Sequence, residues 1–137
     1  MKKIIKNVVL IDDDNDTNLY NEFIISDTGL VENIVIFQNG KDALNHLSKK
    51  NANGDFPKPE IILLDINMPI MNGWEFLSHY KELPQEQRAG IIITMLSSSM
   101  NPDDKRKADE LEIINGFINK PLTEEKFKEL VYNFFNK

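Results

Sequence analysis

Three consecutive carboxylates, Asp12-Asp13-Asp14, follow the apolar run Val8-Val9-Leu10-Ile11. A fourth, Asp65, ends the run Ile61-Ile62-Leu63-Leu64 and precedes Asn67, Met68 and Pro69. Ser97, Ser98 and Ser99 follow Met95-Leu96, and Asn119-Lys120-Pro121 follows Gly116-Phe117-Ile118. Clustered carboxylates repel one another unless a cation neutralises them. Mg²⁺ does this well, because it takes oxygen ligands, keeps several waters and often binds through one or two carboxylates and a phosphate. A lysine can pair with a carboxylate or with phosphoryl oxygens, and a hydroxyl can donate one more hydrogen bond. These are the parts of phosphoryl transfer: in-line positioning, a metal and a cationic clamp. An aspartate can itself be the nucleophile and form an acyl phosphate. Asp65, at the centre of the set, is the natural nucleophile.

This chemistry requires four distant segments to meet. The apolar runs that precede them are short, unalternating and rich in β-branched residues, the pattern of parallel strands covered on both faces. Ile34-Val35-Ile36-Phe37 is another such run, Ile91-Ile92-Ile93 leads into Met95-Leu96, and Gly116-Phe117-Ile118 is the weakest. Helical spacing fills the gaps. Leu19, Tyr20, Phe23 and Ile24 form one apolar stripe, ended near Gly29; Ala43, Leu44 and Leu47 form a second; Trp74, Leu77 and Tyr80 form a third, stopped before Pro84. Asn101-Pro102-Asp103-Asp104 suits the start of a fourth helix, with Asn101 as cap, proline in the first turn and acids at the positive dipole end. Thr123 suits the cap of a fifth, which carries Phe127, Leu130, Val131, Phe134 and Phe135 as a core stripe. The order is βα five times, an α/β fold in which right-handed crossovers place helices on both faces of a parallel sheet. In such sheets ligands bind beyond the carboxyl ends of the strands, where the polar residues above all fall.

Length and composition fit this architecture. The chain has 137 residues, one domain at roughly 150 residues per domain. There is no cysteine, which removes disulfide scaffolds, thiolate metal sites and cysteine nucleophiles. Sixteen Lys and Arg face 22 Asp and Glu, which argues against a broad basic face for direct nucleic-acid binding or anionic lipid. No run approaches the roughly 18 apolar residues of a membrane span. The basic start, Met1-Lys2-Lys3, leads into an apolar run broken by Lys6 and Asn7, without a cleavage site, so it does not read as a signal peptide. A cytoplasmic protein without membrane insertion is expected.

The four motifs resemble those of the receiver domain of two-component response regulators, of the stand-alone, chemotaxis-regulator type. The matching segments are 8–14, 63–73, 95–99 and 117–121, the likeness covers essentially the whole chain, and a single receiver domain over 1–137 without an output domain is expected. The resemblance implies a flavodoxin-like, doubly wound five-stranded parallel sheet in the order 2-1-3-4-5. It implies that Asp65 accepts a phosphoryl group from a sensor histidine kinase or a histidine phosphotransfer protein. Asp13 would bind Mg²⁺ directly, Asp12 directly or through water, Asp65 with its carboxylate and Asn67 with its backbone carbonyl. Lys120 would contact a phosphoryl oxygen and Ser97 would hydrogen-bond the phosphoryl group. Phe117 would change rotamer with Ser97, altering how the face of the fourth helix, fifth strand and fifth helix binds a target protein. Such a protein signals rather than turning over a substrate. Two positions depart from the commonest pattern: Ser97 stands where Thr is usual, and Phe117 where Tyr or His also occur. Asn67 and Ser99 occupy positions that tune the phosphate lifetime.

Other readings fit less well. A haloacid-dehalogenase-type phosphatase needs a second acid two residues after its nucleophile, where this chain has Asn67. A flavin phosphate loop would be repelled by Asp12-Asp13-Asp14. A calcium loop opening at Asp12 would want Gly and Glu where Thr17 and Phe23 stand. Asp14 and Asp16 belong at the start of the first helix, near its positive dipole end, and His46 and His79 in helix surfaces or interhelix packing rather than relay chemistry. A phosphorelay intermediate and a receiver-like binding module that is never phosphorylated remain as alternatives.

Overall fold

Each apolar run becomes a strand because both of its faces are needed. In the computed structural model, which describes residues 4–50, 52–68, 71–88, 92–98 and 102–135, five strands form one parallel sheet. They are β1 (Ile5–Ile11), β2 (Val31–Phe37), β3 (Ile61–Asp65), β4 (Ile92–Ser97) and β5 (Gly116–Asn119), in the order β2-β1-β3-β4-β5. Successive strand residues face opposite sides. Val9, Ile11, Ile62, Leu64, Ile93 and Met95 enter one core layer, and Ile5, Val8, Leu10, Ile61, Leu63 and Leu96 enter the other. The edge strand β2 is less covered, with Glu32 and Asn33 exposed.

Among the described residues six helices accompany the sheet: α1 (Asn15–Asp27), α2 (Gly40–Ser48), α3 (Gly73–Tyr80), the single turn α4 (Gln85–Arg88), α5 (Pro102–Glu110) and α6 (Glu124–Phe135). The expected fourth and fifth helices are therefore α5 and α6. Ala43 and Leu47 of α2 and Phe76, Leu77 and Tyr80 of α3 close the first layer. Ile25 of α1, Leu122, and Phe127 and Val131 of α6 close the second. Lys107 of α5 lies over the Trp74 ring of α3, 4.7 Å from its centroid. Asp14 caps α1, Asn39 caps α2, and Asn72 with Glu75 forms a reciprocal capping box on α3. Thr123 Oγ1 accepts the Lys126 N–H at 3.1 Å, as its sequence position suggests.

Two sequence expectations are corrected. The α1 stripe does not face the sheet: Leu19, Tyr20 and Phe23 are 52%, 44% and 68% exposed, while Asn18, Asn21 and Ile25 are buried. The inward face meets the end of β1, where Asn18 Nδ2 donates to the Asp12 carbonyl at 2.8 Å. That bond belongs to the inward 18-21-25 face, and of the apolar stripe beside it only Ile24 is partly covered. The turn α4 adds a helix to the expected five, because its four residues, Gln-Glu-Gln-Arg, carry no apolar period. Pro69, Ile91, Ser99, Asn101 and residues 1–3 lie outside the described residues, as do the side chains of Phe134 and Phe135. Among the described residues no helix is long and apolar enough to cross a membrane.

The start of α3 touches the end of β3. The Gly73 N–H donates to the Ile66 carbonyl at 2.9 Å, and a Cβ on Gly73 would lie 2.7 Å from the Asp65 carbonyl oxygen. Gly73→Ala is therefore expected to cost about 1–3 kcal/mol, the usual penalty for overfilling a packed site. Urea unfolding checks this, and an unchanged midpoint would mean the contact yields freely.

Candidate functional site

Asp12 emerges from β1 with its backbone and one carboxylate oxygen already committed. Its N–H donates to the Phe37 carbonyl at 3.1 Å, its carbonyl accepts Asn18 Nδ2, and its Oδ1 accepts the Asp14 N–H at 2.9 Å. The remaining oxygen, Oδ2, accepts the Lys120 ammonium at 2.8 Å. Asp65 is the last residue of β3, in register with Leu96 of β4. Its Oδ1 accepts the same ammonium at 3.1 Å. Lys120 follows β5, and its N–H donates to the Ser97 carbonyl at 2.7 Å. The Lys120–Pro121 peptide is cis.

Most of the candidate residues thus converge. Carboxylate oxygens of Asp12, Asp13 and Asp65 lie within 4.8 Å of one another. Asp12 and Asp65 are buried, whereas Asp13 is exposed at the rim. Ser97 is fully buried at the end of β4, one residue beyond the partner of Asp65. The Asn67 backbone N–H is hydrogen-bonded to the Asp65 carboxylate, and its side chain is exposed. Phe117 lies further back on β5, in register with Met95 and half-buried against the α2–α3 core layer. Asp14 and Asp16 sit at the start of α1, as expected, with Asp14 accepting the Asp16 N–H and the Thr17 hydroxyl.

The electrostatics follow from burial and charge. Burial pushes the Asp65 carboxyl up to about 6, and the neighbouring Asp12 carboxylate pushes the same way. The charge and hydrogen bond of Lys120, with the Asn67 N–H, offset this only in part. Burial by itself would lower Lys120, but its hydrogen bond to Asp12 and the charges of Asp12 and Asp65 together hold it above the usual lysine value. Three carboxylates against one ammonium leave a negative excess made of hard oxygen donors. That donor set fits a divalent cation such as Mg²⁺.

A family model described as the response regulator receiver domain matches residues 8–132. The chain belongs to that family. It is 37% identical to a two-component response regulator from Cytophaga hutchinsonii, whose crystal structure matches with a TM-score of 0.88 over 98% of this chain and 100% of that one. Response regulator Rcp1 of Synechocystis sp. is 29% identical over 109 residues, 79% of this chain and 72% of that protein. The Mn²⁺-bound form of Rcp1 matches with a TM-score of 0.71 and 26% identity, over 91% of this chain and 88% of that one. The receiver fold and the acidic pocket at its strand ends therefore go together in this chain.

Sequence reasoning missed the residues that hold the site's backbone. Asn18 grips the Asp12 carbonyl. Tyr20 OH donates to the Leu122 carbonyl at 3.0 Å, and Lys126 Nζ donates to the Asn119 and Pro121 carbonyls at 2.8 and 2.9 Å. Asn18 shows no sequence signal beyond a polar residue in a helix. Lys126 shows one: a cation in the first turn of a helix, where the dipole disfavours it.

Asp65 gives a signed pH dependence in buffer free of divalent cations. Its folded value, about 6, lies above the ordinary 3.8. The stability contributed by its proton is fully present below pH 3.8 and is lost as pH rises through about 6. Asp65→Asn removes the cost of ionising the buried group, so it should be more stable than the wild type at pH 7 by roughly 1–3 kcal/mol. The gap should close below about pH 4. Urea unfolding at both pH values checks this, and a variant less stable at pH 7 would contradict it.

Proposed function

We propose that this receiver domain takes a phosphoryl group onto Asp65 from the phosphohistidine of a sensor histidine kinase or histidine phosphotransfer protein, with Mg²⁺ as cofactor. The observation that carries this reading is the buried Asp65 carboxylate at a strand end, 3.1 Å from Lys120 Nζ and grouped with Asp12 and Asp13. A carboxylate oxygen of Asp65 attacks phosphorus while the P–N bond of the phosphohistidine breaks. The imidazole nitrogen leaves with the bonding pair, and an acyl phosphate remains on Asp65. An elevated pKa makes Asp65 a better nucleophile than an ordinary aspartate, yet at neutral pH it is still largely ionised. The Lys120 ammonium, already 2.8 Å from Asp12 and 3.1 Å from Asp65, turns to the incoming phosphoryl oxygens. Asp12, Asp13, Asp65 and the Asn67 backbone carbonyl would hold Mg²⁺, which when bound neutralises charge on the phosphoryl oxygens. The Mn²⁺-bound form of the relative Rcp1 supports a divalent cation here.

A protein phosphodonor fits the surroundings. Leu19, Tyr20 and Phe23 are exposed on α1, and a cavity of about 400 Å³ beside them is lined by Thr17, Tyr20, Asn21, Lys120 and Leu122. Exposed apolar residues grouped beside a reactive centre mark a protein contact. The new dianion on Asp65 draws in the Ser97 hydroxyl, Phe117 follows, and the α5-β5-α6 face changes its affinity for a target protein. We read the chain as a cytoplasmic signalling protein rather than an enzyme, because Asp65 itself carries the group away from the donor. The negative excess at the strand ends gives no support to direct nucleic-acid contact there. On this reading Asn67 and Ser99 would tune how long the acyl phosphate survives, as the family resemblance implies.

Incubation with Mg²⁺ and acetyl phosphate, followed by intact-mass measurement, tests this reading. One added phosphoryl group is expected for the wild type and none for Asp65→Asn. Equal uptake by both would move the acceptor elsewhere. No uptake by folded wild type, with a second small phosphodonor tried, would favour a binding module that signals without phosphate. Asp13→Ala should raise the Mg²⁺ concentration needed for half-maximal uptake by roughly tenfold or more. Titration of Trp74 fluorescence reads the same change, and an unchanged midpoint would remove Asp13 from the ligand set.

A further inference from the structure

The carbonyls on both sides of Lys120 are held by one side chain. Lys126 Nζ donates to the Asn119 carbonyl at 2.8 Å and to the Pro121 carbonyl at 2.9 Å. The residue between them is the one whose ammonium bridges Asp12 and Asp65. Lys126 is itself fixed at the start of α6, where its N–H donates to the capping oxygen of Thr123. Its place in the helix runs against local preference. Glu124 and Glu125 complement the positive end of the α6 dipole, whereas a cation there is disfavoured. A residue that breaks a local rule while making two charge-assisted bonds marks a functional constraint.

We propose that Lys126 is a positioning residue for Lys120, setting the loop that aims the Lys120 ammonium at the phosphoryl group. This rests on Asp65 being the phosphoacceptor. The loop has two other restraints, the Lys120 N–H on the Ser97 carbonyl and the Tyr20 hydroxyl on the Leu122 carbonyl. The first holds the Asn119–Lys120 peptide by its N–H end, and neither reaches the Pro121 carbonyl. Lys126 holds the carbonyl end of the Asn119–Lys120 peptide and, beyond Lys120, the carbonyl of the Pro121–Leu122 peptide, so one ammonium opposes movement of the loop on both sides of Lys120 that would swing its side chain off the phosphoryl group. Lys126 takes no part in metal binding and does not touch Asp65. Its loss acts on the rate of transfer and leaves Mg²⁺ affinity unchanged.

The test compares wild type, Lys126→Met and Lys126→Arg with acetyl phosphate at saturating Mg²⁺. For each, the uptake rate, the Mg²⁺ midpoint from Trp74 fluorescence and the urea midpoint are measured. Methionine keeps the length of the stem but removes the donors, and the expected uptake rate is roughly tenfold slower, the scale of a small misplacement of a catalytic group. The Mg²⁺ midpoint should not move. Arginine retains donors at the same reach and should restore most of the rate. A wild-type rate in Lys126→Met overturns the proposal. So does an equal loss in both variants, or a loss that only follows a lowered urea midpoint. A wild type that takes up no phosphate overturns the Asp65 reading instead, and the two failures are told apart by that control.

Discussion

One ammonium between two buried carboxylates organises this protein. Lys120 Nζ meets Asp12 and Asp65 at 2.8 and 3.1 Å, where both acids are almost wholly withdrawn from water. Buried charges are tolerated only when paired and hydrogen-bonded. The pairing is incomplete, since Asp13 adds a third carboxylate at the rim. The cluster is therefore stable enough to form and still short of positive charge. A surplus of that kind, built from hard oxygens, suits a site that takes up a divalent cation and a phosphoryl group. Burial first, and the neighbouring Asp12 carboxylate after it, hold Asp65 up at about 6.

The sheet exists, in this sense, to bring those charges together. Asp12 follows β1, Asp65 ends β3, Ser97 ends β4 and Lys120 follows β5, and all four strands run in one direction. Apolar residues on both faces lock the registers, because a one-residue slip would exchange the two core layers. The rest of the positioning is polar and local. Asn18 holds the Asp12 carbonyl, Gly73 lets α3 approach the end of β3, and Lys126 holds the peptides around Lys120.

Much of this is legible in the sequence, and the residues show why. Strands buried on both faces leave unbroken apolar runs, so their number and order can be read. The strand order follows from the receiver likeness that the motifs at the strand ends carry, and the structure brings Asp12, Asp13, Asp65 and Lys120 together at those ends. The rotation of α1 is not legible. Hydropathy points to Leu19, Tyr20 and Phe23, but the buried face carries Asn18, bonded to the Asp12 carbonyl, with Asn21 and Ile25. Side chains that bond to backbone carbonyls leave no periodic trace, which is why Asn18, Tyr20 and Lys126 emerge only in three dimensions.

The central assignment is that Asp65, among the three clustered aspartates, carries the phosphoryl group. Borohydride reduces an acyl phosphate and converts the aspartate that bore it to homoserine. Treating the Mg²⁺- and acetyl-phosphate-incubated protein in this way, then mapping peptides by mass, reads the position directly. Homoserine is expected at position 65, with unmodified aspartate at 12 and 13. Homoserine at 12 or 13, or at neither those positions nor 65 in protein shown to hold one phosphoryl group, would contradict the assignment.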